Sequence, residues 1–212
     1  TPTAWWRVPM PMQVGKLPFD NKAQYRLHKM MLQQCQYGRE KKYWVLKGFH
    51  GFRLESFFET YPDATLVWLH RDPVQVAASS TAMMRDIMEG IVGKIDLIAE
   101  AKQHLDRVRM SIANTMSNPL VNDPRVHHVR YKDFVADPVG TVRGYYEFAK
   151  REFTPGAEAA MRGYLGSNKG DRHGKFEYST KLLTDAGADI DALNEEFRPF
   201  RERYGVDIEV RK

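Results

Sequence analysis

Apolar residues recur along the chain with two periods, and stretches of the two kinds alternate. Over residues 22–37, Tyr25, Leu27, His28, Met31, Leu32 and Cys35 keep a spacing near 3.6, and Gly38 follows as a stop, which predicts a helix. Tyr43-Trp44-Val45-Leu46 is a short, β-prone apolar run between Lys41-Lys42 and Gly48, which predicts a buried strand. Residues 52–61 carry Phe52, Leu54, Phe57, Phe58 and Tyr61 before Pro62-Asp63, a short helix closed by a turn. A second strand is predicted over 65–70. Strand, helix and strand within about 30 residues is the pattern of a crossover between parallel neighbours.

The second half continues the alternation. A helix is predicted over 74–88, with Pro73 at its first turn, and a long amphipathic helix over 91–117, with Ile91, Ile95, Ile98, Leu105, Val108 and Ile112 on one face. Residues 126–131 read as a third strand, Asp137-Pro138 opens a helix to about Phe153, and 155–165 form another. Residues 1–20 hold Pro2, Pro9, Pro11 and Pro18 and read as an extended lead-in. Residues 166–188 form a loop whose first part is glycine-rich and basic, and 189–205 a C-terminal helix. The expectation is one α/β domain over 1–212, a parallel β-sheet flanked by helices.

Composition narrows the class. An apolar share of 42% and a charged share of 28% are those of an ordinary globular protein, and no apolar run approaches the roughly 18 residues of a membrane span. A net charge of +5 with scattered basic residues favours an anionic small ligand, such as a phosphorylated one, over a nucleic acid. The single cysteine, Cys35, excludes an internal disulfide and a cysteine-rich zinc site, and suits a reducing cytoplasm.

In a parallel α/β sheet, ligands gather at the carboxyl ends of the strands. The residues there are polar: Lys47 and His50 after the first predicted strand, Arg71 and Asp72 after the second with Ser79 and Ser80 on the following helix, and Tyr131-Lys132-Asp133 after the third. A lysine, an arginine and helix-borne hydroxyls suit a nucleotide phosphate, and a histidine beside them is a candidate base. Plainer roles compete. Asp72 also suits a helix cap, the residues after Gly170 a solvated loop, His28, His127 and His128 packing, and the methionines between Met83 and Met88 helix contacts or an acceptor lining.

Trp44-Val45-Leu46-Lys47, His50, Tyr61-Pro62-Asp63-Ala64 and His70-Arg71-Asp72-Pro73 with Ser79, in that order, resemble the sulfotransferase family. Val129-Arg130-Tyr131-Lys132-Asp133-Phe134 with Asp137-Pro138, Arg172-His173-Gly174-Lys175 and residues 197–205 extend the resemblance, which runs from about Tyr25 to Val206. The resemblance implies a fold related to the P-loop NTPases and a co-substrate, 3′-phosphoadenosine 5′-phosphosulfate. It implies that Arg71 and Ser79, eight positions apart, bind the 3′-phosphate, with Arg172, His173, Gly174 and Lys175 in a basic loop nearby. Lys47 then neutralises the leaving oxygens and His50 takes the proton of a small-molecule or carbohydrate hydroxyl. No metal and no nucleic acid enter the scheme, and an oligomer is compatible with it.

Two departures qualify the resemblance. The family's glycine- and hydroxyl-rich 5′-phosphosulfate loop does not occur in the sequence and is expected upstream of Thr1, and Gly170 to Lys175 does not replace it, ending in Phe176 rather than Ser or Thr. Lys47-Gly48-Phe49-His50 also lacks a proline and one residue that bacterial relatives more often carry. Two other functions therefore stand beside transfer: a nucleotide-binding member without catalysis, and a small-molecule kinase, for which a Walker loop and paired acids are wanting.

Overall fold

A computed structural model describes residues 21–40, 43–48, 50–167 and 177–209. The lead-in expected over 1–20 lies outside them. The chain divides into two compact units, Thr1–Ala64 with Asn118–Val121, and Thr65–Ser117 with Asn122–Lys212.

In the first unit, helix α1 (Asn21–Gln36) packs on α2 (Leu54–Thr60), which a single 3₁₀ turn, Gly51–Arg53, precedes. The contact is aromatic. Tyr25, Leu54, Phe57 and Phe58 are buried, and the Tyr25 and Phe57 rings meet edge to face at 5.8 Å between centroids. His28 is part of the packing, its Nδ1 2.6 Å from the Tyr61 hydroxyl. The strand expected at Tyr43-Trp44-Val45-Leu46 does not form. These residues are exposed coil, Val45 almost wholly so. A four-residue apolar run has the propensity of a strand, but a strand also needs a neighbour to pair its backbone, and the run itself does not supply one. The crossover drawn from that strand to the next falls with it.

The second unit carries the sheet. Strand β1 (Leu66–His70) pairs in parallel with β2 (Val126–Arg130), in register from Leu66 against Val126 to His70 against Arg130. Helices α3 (Pro73–Val92) and α4 (Leu97–Ser117) connect the two strands and pack on each other. Ala77, Ala78 and Ala82 on α3 and Ala101 on α4 are sealed from solvent, small side chains that let helices approach closely. Val74, Leu105, Val108, Leu183, Leu193 and Phe197 complete this core, each contributing roughly 1.5–3 kcal/mol by its burial.

Where a single helix is expected over 91–117, α3 runs on to Val92 and stops at Gly93, and α4 starts afresh. The Asp96 carboxylate accepts from the backbone N–H groups of Ile98 and Ala99 and caps it. After β2 come α5 (Tyr131–Ala136), α6 (Pro138–Phe148) and α7 (Pro155–Ser167). A short helix, α8 (Lys181–Asp185), lies inside the expected loop. The expected C-terminal helix is broken in two, α9 (Ile190–Glu196) and α10 (Arg198–Tyr204), because Pro199 has no N–H with which to continue the α9 ladder. Gly205, at φ 61°, takes the left-handed turn that ends α10 and redirects residues 206–209.

Candidate functional site

The carboxyl end of β1 and the start of α3 meet at His70-Arg71-Asp72-Pro73. Asp72, 1% exposed, caps α3: its Oδ1 accepts from the Val74 N–H (3.2 Å) and from Arg201 Nη2 (2.8 Å), and its Oδ2 from the Glu209 N–H (2.9 Å). Arg201 also donates to the Asn194 carbonyl and side-chain oxygens, at 2.8 and 2.9 Å. One buried ion pair thus ties the start of α3 to α10. The cap expected of Asp72 is present.

Arg71 is held from three sides. Its Nε and Nη2 donate to the two carboxylate oxygens of Glu209 at 2.9 and 2.7 Å, and Nη2 also donates to the Tyr178 hydroxyl at 2.5 Å. The guanidinium lies 4.2 Å from the centre of the Tyr131 ring. Burial works against its charge, but the hydrogen bonds and charge of Glu209, with Tyr178, outweigh this and hold the group above its ordinary range. A planar fork fixed on a carboxylate in this way has the geometry that recognises a phosphate. Ser79 stands on α3, six residues and about 9 Å of rise beyond Pro73. Ser80 returns its hydroxyl to the Val76 carbonyl (2.7 Å) and so serves the helix.

Lys47 and His50 belong to the first unit. Lys47 is exposed on the coil before the 3₁₀ turn. His50 is half-buried, its ring 4.7 Å from that of Phe57, with Nδ1 2.8 Å from the Tyr25 hydroxyl. A Cβ on Gly48 would fall 2.2 Å from His50 Nε2, so only glycine leaves this ring its place. Burial first, then the charges of His28 and Arg53, push the His50 pKa down, which keeps the imidazole neutral at pH 7. In the tautomer whose Nδ1–H donates to Tyr25, Nε2 is left as an acceptor for a proton.

Arg172, His173, Gly174 and Lys175 lie outside the described residues. Two surface clefts lie apart from these residues. One of about 270 Å³ lies between α4, α8 and α9, another of about 280 Å³ is bounded by Cys35, Arg39 and Trp44, and neither includes a residue expected at the site. His127 packs its ring 4.7 Å from Phe148, and His128 Nδ1 meets His70 Nε2 at 2.7 Å, so both take up the packing roles expected of them. Sequence reasoning missed Tyr25, Tyr178, Arg201 and Glu209. Only Tyr25 gave a signal, as an apolar-face residue of the predicted helix.

A family model described as the sulfotransferase family matches residues 16–155. The omega-hydroxy-beta-dihydromenaquinone-9 sulfotransferases of Mycobacterium bovis and Mycobacterium tuberculosis are each 24% identical to the chain over 183 residues, covering 81% of it and 43% of their own length. A crystal structure of a sulfotransferase from Mycobacterium avium superposes on 92% of the chain and 50% of its own, with a TM-score of 0.73 at 23% identity. The chain thus spans about half the length of the relatives it matches, and it has the α/β sulfotransferase fold.

Proposed function

The chain belongs to the sulfotransferase family, and from that premise we propose that it takes part in moving a sulfuryl group from 3′-phosphoadenosine 5′-phosphosulfate to an alcohol. The observation that carries this reading is the Arg71 fork at the carboxyl end of β1, clasped by an anion and followed eight positions later by Ser79. On this reading Arg71 and Ser79 bind the donor's 3′-phosphate, and Arg172, His173, Gly174 and Lys175 contribute to the same site.

Transfer is an in-line displacement. The acceptor oxygen forms a bond to sulfur while the bond from sulfur to the bridging phosphate oxygen breaks, and that oxygen leaves with the electron pair. Charge spreads over the equatorial oxygens, so positioning and electrostatics supply most of the catalysis, as in phosphoryl transfer. Lys47 places its ammonium against the leaving oxygens. His50, neutral at pH 7, takes the acceptor's proton on Nε2 while Tyr25 holds Nδ1. The names of the mycobacterial relatives give a hydroxylated menaquinone as acceptor, which supports an alcohol on a small lipid here too.

The test is transfer of labelled sulfate from the donor to a panel of isoprenoid and carbohydrate alcohols. The expected result is a labelled sulfate ester with an equal amount of 3′-phosphoadenosine 5′-phosphate, reduced about 10²- to 10⁴-fold in H50A. Donor that stays intact with every acceptor, or transfer that H50A leaves unchanged, contradicts the scheme or the base it assigns.

A further inference from the structure

The partner that Arg71 holds is a part of the protein itself. Glu209 follows the left-handed turn at Gly205, and its backbone is fastened on both sides. The N–H donates to Asp72 Oδ2 at 2.9 Å, and the carbonyl accepts from Gln75 Nε2 at 2.9 Å, both from buried side chains at the start of α3. From that fixed backbone the side chain reaches across the guanidinium, where its two oxygens take Nε and Nη2.

We propose that Glu209 is a tethered anion that occupies the phosphate seat of Arg71 and must swing away before the donor nucleotide binds. The proposal rests on the reading of Arg71 as a phosphate-binding residue. Glu209 holds the Nε and Nη2 edge of the guanidinium, and a doubly charged phosphate brought to that edge beside an undisplaced carboxylate would be repelled. The exchange leaves the fold intact, because the backbone of Glu209 keeps its bonds to Asp72 and Gln75 while only the side-chain torsions turn. The carboxylate keeps a largely buried Arg71, its side chain 14% exposed, paired and aimed. When the nucleotide leaves, the carboxylate takes the guanidinium back. Glu209 therefore sets donor affinity without touching the donor.

The test is calorimetric titration of 3′-phosphoadenosine 5′-phosphate into wild type, E209Q, E209D and R71A, with thermal unfolding of each as a check of folding. E209Q removes the charge, and E209D keeps the charge and the tether but shortens the reach. Both are expected to bind the nucleotide about tenfold more tightly than wild type, since each weakens a charge-assisted bidentate pair that the ligand must break. R71A is expected to lose binding. E209Q and E209D that bind as wild type does, with R71A deficient, overturn the competition and leave the phosphate reading of Arg71 standing. An R71A that binds as wild type does, or no binding by any of the four, overturns both. If E209Q unfolds, E209D decides between the outcomes.

Discussion

His70 lies between the rings of Tyr204, 4.0 Å away and nearly parallel, and His128, whose Nδ1 meets its Nε2. It is 3% exposed, and its own Nδ1 is buried without a hydrogen-bond partner among the described residues. Burial, with the charge of His128 adding to it, pushes its pKa down to about 3, against an ordinary value of 6.5. A depressed histidine binds protons in the unfolded chain before it binds them in the folded one, so its contribution to stability is whole above pH 6.5. That contribution is lost as the pH falls from 6.5 towards 3. His50, His104 and His127 are shifted in the same direction, each by burial first. Lowering the pH from 7 to 5 is expected to cost about 2 kcal/mol from His70 alone. Denaturant titrations at the two pH values test this, with H70F as the variant that flattens the slope, and a wild-type stability that does not change with pH contradicts it.

At the scale of elements, the junction of β1 with α3 is fixed from α10 through Asp72 and Arg201. Their carboxylate and guanidinium are 1% and 7% exposed, so removing one charge leaves the other buried without its counter-ion. D72N is expected to lose about 3–5 kcal/mol, read from the denaturant midpoint, because the amide keeps the shape of the cap but gives Arg201 no charge. A loss below about 1 kcal/mol would mean that the cap alone holds the junction. This element was legible in advance as far as Asp72-Pro73 announced a capped helix start, α1 announced itself by period and the stop at Gly38, β1 and β2 by their apolar runs, and α6 by Asp137-Pro138 at its start, though it ends at Phe148 rather than near Phe153. What was not legible depended on partners. Tyr43 to Leu46 carry the propensity of a strand, but pairing comes from another segment, and the breaks at Gly93 and Pro199 interrupt faces whose apolar period runs straight through them. Arg201 and Glu209 reach Asp72 and Arg71 from 129 and 138 positions away in sequence, a separation that no local pattern reports.

At the scale of the whole molecule, the described residues divide the expected chemistry between two units. Lys47 and His50 stand with the aromatic pair of α1 and α2, and Arg71 and Ser79 with the sheet. No helix among the described residues is long and apolar enough to cross a membrane. The chain spans 43% of the length of its curated relatives, and the family match over residues 16–155 includes Lys47, His50, Arg71 and Ser79. The residue types and spacing of the candidate site were legible in the sequence, while the anion already seated on Arg71 was not. Whether Arg71 binds the nucleotide's 3′-phosphate is decided by calorimetric titration of 3′-phosphoadenosine 5′-phosphate into wild type and R71A. R71A is expected to bind more weakly by roughly 2 kcal/mol or more, about 30-fold, as the loss of a charged phosphate contact requires. Equal affinity in the two proteins would contradict it.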